Sequence, residues 1–248
     1  MVVSQADLLF PRHAVGPPGP LPPNTEQWEL RTAGGDVLRG VHMPPRRDPP
    51  DQRLLILGFA GNAWNSANAA ALLHELYPEA HVVAFHYRGY APSTGAPSAQ
   101  ALLDDAPLVH DLAVSRIRPS RTIAVGFSIG SGVAAVLASK RPVDGLILVT
   151  PFDSLTSVAE AWYPWLPVRA LFRHEIDARG ALKQSTVPVA IIAAGRDDIV
   201  PAERTEALRQ AARNLAFSQT IEAAGHNDLY SRPEFERAMT DALAALGG

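Results

Sequence analysis

Apolar residues in this chain fall into short unbroken runs, separated by longer stretches with apolar positions every three or four residues. The runs Leu54–Leu57, His81–His86, Thr122–Gly126, Gly145–Val149 and Val189–Ala194 show little alternation, and Phe217–Ile221, with Ser218-Gln219-Thr220 inside it, is read as a sixth. That is the pattern of strands covered on both faces. Between them, Ala67–Leu76, Ala99–Ser115, Ile129–Lys140 and Pro233–Leu246 have helical spacing. Pro78 follows the first of these, and Pro107 is expected to disturb the middle of the second. Buried strands alternating with helices predict an α/β fold, a mainly parallel sheet with helices on both faces. Upstream, Glu26–Arg31 and Val37–Met43 flank Ala33-Gly34-Gly35-Asp36. This reads as a hairpin that adds an antiparallel edge.

Composition narrows the class. The chain has 248 residues, 47% hydrophobic and 19% charged, with a net charge of −3. It can bury a sizeable core in one domain. With no basic patch, nucleic acid is not an expected partner. Cysteine is absent, which excludes disulfides, a thiol nucleophile and thiolate metal sites. Residues 11–23 contain six prolines: Pro11, Pro17, Pro18, Pro20, Pro22 and Pro23. Residues 1–24 therefore read as an extended, non-helical arm packed on the surface, and residues 25–248 as a single domain. A second proline-rich loop is expected over Pro44–Asp51. No signal-peptide pattern and no transmembrane run is seen, so a cytoplasmic location is expected, with no integral membrane segment.

The chemistry centres on Gly126-Phe127-Ser128-Ile129-Gly130, a G-x-S-x-G match. Chance alone produces roughly 0.07 such matches in a chain with 18 glycines and 14 serines, so context decides. The motif follows an apolar strand and opens a helix. A serine on such a turn is strained and exposed, as a nucleophile requires; the alternative is a tight turn with an incidental serine. A base must take its proton. His226, in Ala224-Gly225-His226-Asn227-Asp228, follows the last strand, as the chain order Ser…Asp/Glu…His requires. An acid should orient that imidazole. Asp197 and Asp198 follow the strand Val189–Ala194, and Asp153 follows Gly145–Val149; loop capping is the plain alternative for all three. An oxyanion needs two N–H donors: one from Ile129, one from the loop Gly58–Asn65.

Several separate segments together resemble the serine-aminopeptidase-like, or α/β-hydrolase-domain, branch of the α/β-hydrolases. Phe59-Ala60-Gly61-Asn62-Ala63 matches its oxyanion loop and implies the backbone N–H of Asn62 as second donor. Tyr87-Arg88-Gly89-Tyr90-Ala91-Pro92-Ser93-Thr94-Gly95-Ala96-Pro97-Ser98 matches its Y-R-G-Y-G-x-S-x-G-x-P-S segment. Leu103-Asp104-Asp105-Ala106 matches the aspartate-bearing helix, and Gly225–Leu229 the histidine loop. The family loop D-x-I-V-P, anchored on Pro201, implies Asp197 as the acid. Counting forward from Gly195 gives Asp198 instead. Ala60 and Ala91 depart from the family's usual His and Gly.

The resemblance implies an α/β-hydrolase fold with a short helical cap, Pro151–Val187, carrying Ala161-Trp162-Tyr163-Pro164-Trp165-Leu166-Pro167. Those aromatics either line an acyl pocket or pack the segment onto the domain. The expected activity is hydrolysis of a carboxylic ester or related acyl bond on a small-molecule substrate, through an acyl-enzyme on Ser128, with no metal or organic cofactor. Thioesterase and peptidase chemistry share this machinery. A binding protein on a retained scaffold would be expected to have lost one of these residues.

Overall fold

The computed structural model describes residues 5–47 and 53–247. The tip of the second proline-rich loop lies outside the described residues. Among the described residues, eight strands form one sheet: β1 (Glu26–Arg31), β2 (Val37–Met43), β3 (Leu54–Phe59), β4 (His81–Phe85), β5 (Arg121–Phe127), β6 (Gly145–Val149), β7 (Val189–Ala194) and β8 (Leu215–Ile221). Their spatial order is β1-β2-β4-β3-β5-β6-β7-β8. β1 and β2 pair antiparallel, as does β2 with β4; all later pairs are parallel. The hairpin is thus the antiparallel edge anticipated from its turn.

Unbroken apolar runs make sense for β3 to β7, where both faces of the sheet are covered; β8 is an edge strand, exposed or half-buried up to Ile221, against the expectation for Phe217–Ile221. Leu55, Leu57, Ala124, Leu148 and Ile191 point to one core, shared with α3 (Ala99–Ile117), α4 (Ile129–Lys140) and α8 (Ala202–Ala211). Ile56, Val82, Val125, Ile147 and Ile192 point to the other, shared with α2 (Ser66–Leu76) and α9 (Pro233–Ala245). Among the described residues, no helix is long and apolar enough to cross a membrane.

Two expectations about proline need correction. α3 runs through Pro107 without a break. Pro107 lacks the N–H that would reach the Leu103 carbonyl, but Lys140 Nζ donates to that carbonyl at 3.2 Å. Ala106 and Val109 on either side are buried against the sheet, which holds the helix together. The N-terminal arm is also not wholly extended. Gln5–Leu9 forms a short helix, α1, and Arg12–Ala14 a turn of 3₁₀ helix. From there to residue 23 the chain is irregular and pinned to α2: Asn65 Nδ2 donates to the Gly16 carbonyl at 2.9 Å, and the Gly19 N–H donates to Asn68 Oδ1 at 2.8 Å.

Between β6 and β7 lie α5 (Leu155–Trp162), α6 (Val168–Leu171) and α7 (Ala178–Gln184). α7 packs on α4 as part of the helical layer, whereas α5 lines the cavity beside Ser128 through Leu155 and Val158, and α6 packs on α5. Ligands in open α/β sheets bind at the carboxyl ends of the strands.

Candidate active site

Ser128 is the hinge between β5 and α4. Its backbone sits at φ 51°, ψ −117°, a strained conformation for a residue with a side chain. Its N–H donates to the Val149 carbonyl of β6 at 2.9 Å, which ties the turn to the neighbouring strand. Both flanking glycines are sterically required. A Cβ on Gly126 would collide with the Gly130 carbonyl, and one on Gly130 with the Phe59 carbonyl. Ile129 opens α4, so its N–H has no acceptor four residues back within the helix and lies at the positive end of the helix dipole.

His226 and Asp197 converge on this serine from the loops after β8 and β7. His226 Nε2 stands 3.1 Å from Ser128 Oγ. Its Nδ1 is 2.8 Å and 2.9 Å from the two carboxylate oxygens of Asp197. Asp197 is oriented in turn: its Oδ1 accepts the N–H groups of Ile199 at 2.9 Å and Val200 at 2.7 Å. The His226 and Asp197 side chains are only 6% and 7% exposed, so this hydrogen-bonded pair sits in a water-poor space. The histidine loop is closed by Asp228, whose Oδ1 accepts the Gly225 N–H at 2.6 Å and whose carboxylate pairs with Arg232. The Arg232 hydrogen bond first, and the Gly225 N–H second, hold the Asp228 carboxyl below the usual carboxylate range.

The other acid candidates lie outside this arrangement. Asp198 is exposed. Asp153 is buried beside Arg204, whose Nη1 donates to Oδ2 at 3.3 Å, while its Oδ1 has no partner among the described residues. Other histidines are engaged elsewhere. His42 contacts His81 and Glu26, His74 bonds the Pro44 carbonyl, and His110 bonds the Pro142 carbonyl.

The loop after β3 lies against Ser128. A Cβ on Gly61 would sit 3.8 Å from Ser128 Cβ, so backbone here approaches the serine closely. Two tyrosines brace it. Tyr87 Oη donates to the Ala60 carbonyl at 2.8 Å, and Tyr90 Oη donates to Asn62 Oδ1 at 2.6 Å. The amide nitrogen of Asn62 donates in the other direction, to the Leu9 carbonyl at 2.5 Å. Between the tyrosines, Arg88 pairs with Asp105 of α3 and with Asp36 of the hairpin turn at 3.4 Å. Burial pushes the Asp105 carboxyl up, and the Arg88 hydrogen bond opposes that.

These bracing roles were not read from the sequence. Tyr87 and Tyr90 stand in a motif that was visible, but nothing in the motif says what their hydroxyls reach. Leu9 carried no signal at all, because its contact with Asn62 spans 53 positions.

The site opens into a cavity of about 560 Å³. Trp64, Ile129, Phe152, Val158 and Tyr230 line it beside Ser128 and His226. Trp64 packs on Phe127 and Tyr230 with ring centroids 5.1 Å and 5.0 Å apart. Burial pushes the Tyr230 hydroxyl up to about 12, so it stays protonated at neutral pH. Among the described residues no group of three or more His, Cys, Asp or Glu could hold a metal ion.

Residues 54–187 match the sequence profile of the alpha/beta hydrolase fold family. The chain belongs to this family. An uncharacterized protein of Mycobacterium tuberculosis (strain H37Rv) is 36% identical to this α/β-hydrolase over 219 residues, which cover 86% of the chain and 76% of the relative. Lysophosphatidylserine lipase ABHD12 of Danio rerio is 26% identical over 194 residues, covering 66% of this chain and 50% of that protein. Among solved structures, the Pyrococcus furiosus esterase Pf2001 superposes with a TM-score of 0.73 at 18% identity, covering 94% of this chain and 98% of its own. Acetyl xylan esterase 1 from Thermoanaerobacterium superposes with a TM-score of 0.69 at 16% identity, covering 98% and 94%. At such identities the structural likeness concerns the fold.

Proposed function

We propose that this α/β-hydrolase cleaves carboxylic esters through an acyl-enzyme on Ser128. The observation that carries this reading is the hydrogen-bonded series Ser128–His226–Asp197 on a strained strand-to-helix turn. His226 Nε2 takes the hydroxyl proton as Ser128 Oγ attacks the carbonyl carbon. Asp197 keeps the proton of neutral His226 on Nδ1 and stabilises the imidazolium that forms. The N–H groups of Ile129 and Asn62 receive the charge developing on the carbonyl oxygen. The imidazolium protonates the leaving alcohol, and water then releases the acid by the same steps in reverse order.

The cavity favours an ester over a peptide with a free amino terminus. Its described lining contains no aspartate or glutamate, and an ammonium placed there would lack a counter-charge. The names esterase and lipase among the relatives accord with acyl-ester chemistry.

The direct test is covalent labelling by a fluorophosphonate, with Ser128→Ala as blank. Labelling of the wild type alone, with turnover of 4-nitrophenyl butyrate, is the expected result. A folded wild type that neither labels nor turns over any ester refutes the proposal and leaves a non-catalytic binding role on this scaffold. Side-by-side kcat/KM values for an ester, a thioester and an aminoacyl amide rank the three acyl classes, with the ester expected first.

A further inference from the structure

The apolar space around Ser128 continues beyond the nucleophile. Leu9, Leu155 and Val158 line the nucleophile's cavity and also a second one of about 420 Å³. One wall of the second cavity is Trp162, Tyr163 and Leu166, at the end of α5 and in the turn after it. The opposite wall is supplied by the N-terminal helix α1, through Leu8 and Leu9. Among the described residues, no charged side chain lines this second space. Its one amide, Gln5, is already committed: Nε2 donates to the Leu171 carbonyl at 2.8 Å, and Oε1 accepts the Arg173 N–H at 3.3 Å.

α1 is therefore held at both ends. Gln5 ties it to the segment after β6, and the Leu9 carbonyl ties it to Asn62 beside the nucleophile. Phe10, fully buried and edge-on to His174 at 5.4 Å, anchors the point where α1 leaves the groove. The result is an elongated apolar groove that begins at Ser128 and ends at a rim left open to solvent. Trp162, Tyr163 and Leu166 at that rim are each about half exposed.

Resting on the ester-hydrolase reading above, we infer that this groove takes a single unbranched acyl chain of medium to long length, and that the N-terminal segment Gln5–Pro11 is its specificity-determining wall. The carbonyl sits at Ser128, the first methylenes pass between Leu9 and Val158, and the tail lies against Trp162 and Leu166. Each methylene removed from water is worth about fourfold in kcat/KM while the groove lasts. An acyl chain ending in a carboxylate is rejected, because no cationic side chain among the described lining residues can pair with it.

The test compares 4-nitrophenyl acetate, butyrate, octanoate and laurate on the full chain, with fluorophosphonate labelling in parallel. The octanoate-to-acetate ratio of kcat/KM is expected above one hundred for the wild type. Leu8→Glu puts a charge on an exposed part of the wall, and Ala159→Trp fills the second cavity from α5. Each is expected to lower that ratio at least tenfold. An active wild type with a flat chain-length profile, or variants that both keep the wild-type ratio, overturns the inference while leaving the esterase reading intact. Absence of all labelling and turnover defeats the esterase reading instead, and the groove is then read by tryptophan fluorescence with laurate. A fluorescence response lost in Leu8→Glu supports the groove, and no response in the wild type overturns it.

Discussion

Asp197→Asn separates the two adjacent carboxylates by chemistry rather than by position. Oδ1 of Asp197 accepts two backbone N–H groups, from Ile199 and Val200, so only an oxygen is stable there. The amide nitrogen of the variant is thereby forced to the Oδ2 position, 2.8 Å from His226 Nδ1. It donates to Nδ1, which must then be unprotonated, and the imidazole proton moves to Nε2. Nε2 faces Ser128 Oγ at 3.1 Å and can no longer accept its proton. An acid-to-amide change of this kind costs about 10⁴ in kcat in the serine protease triad, or about 5 kcal/mol of barrier. The same order is expected here with 4-nitrophenyl butyrate near neutral pH. The fold should survive, since both backbone N–H groups keep their acceptor, and a thermal melt checks that. Asp198→Asn, at an exposed side chain, should stay within about twofold of wild type. A folded Asp197→Asn protein within tenfold of wild type, or an Asp198→Asn protein equally damaged, refutes the reasoning.

Three further outcomes follow from strain and burial. Ser128→Gly should abolish turnover yet raise stability by about 1 kcal/mol in urea unfolding, because glycine relieves the strain at φ 51°. Arg88→Met should destabilise the protein by about 2–3 kcal/mol at pH 7, since it leaves the buried Asp105 carboxylate without its cation. Asp105 already titrates above an ordinary carboxylate through burial, and losing Arg88 raises it further, so that deficit should shrink as acid protonates the carboxyl. A deficit that grows toward low pH would contradict this. Burial holds the His86 imidazole down to about 4 against 6.5 for an ordinary histidine, so the unfolded chain binds its proton first. Stability should therefore fall by about 3 kcal/mol as pH drops from 6.5 to 4, and His86→Gln should flatten that part of the urea-stability profile.

The periodicity of the chain determined most of the sheet. A strand with both faces covered is apolar at nearly every position, and Leu54–Leu57, Gly145–Val149 and Val189–Ala194 show that without any partner in view. The motif around Ser128 was equally local. Its two glycines are needed because neighbouring backbone passes within contact of their missing side chains, a constraint that leaves a mark on a five-residue window. His226 followed from chain order. Pro107 misled because its cost to the helix is local, while the Lys140 hydrogen bond to the Leu103 carbonyl that offsets it comes from another helix.

Tertiary structure decided what depends on distance through space. Asp197 and Asp198 have the same chemistry and adjacent positions, and only the turn capped by Ile199 and Val200 aims one at His226 and leaves the other in water. The braces from Tyr87 and Tyr90 to the loop after β3, and the groove wall built from Leu8 and Leu9, join segments far apart in the chain. Such contacts impose no period and no spacing on the sequence. They exist because the sheet brings the carboxyl ends of its strands together and the N-terminal segment returns across them.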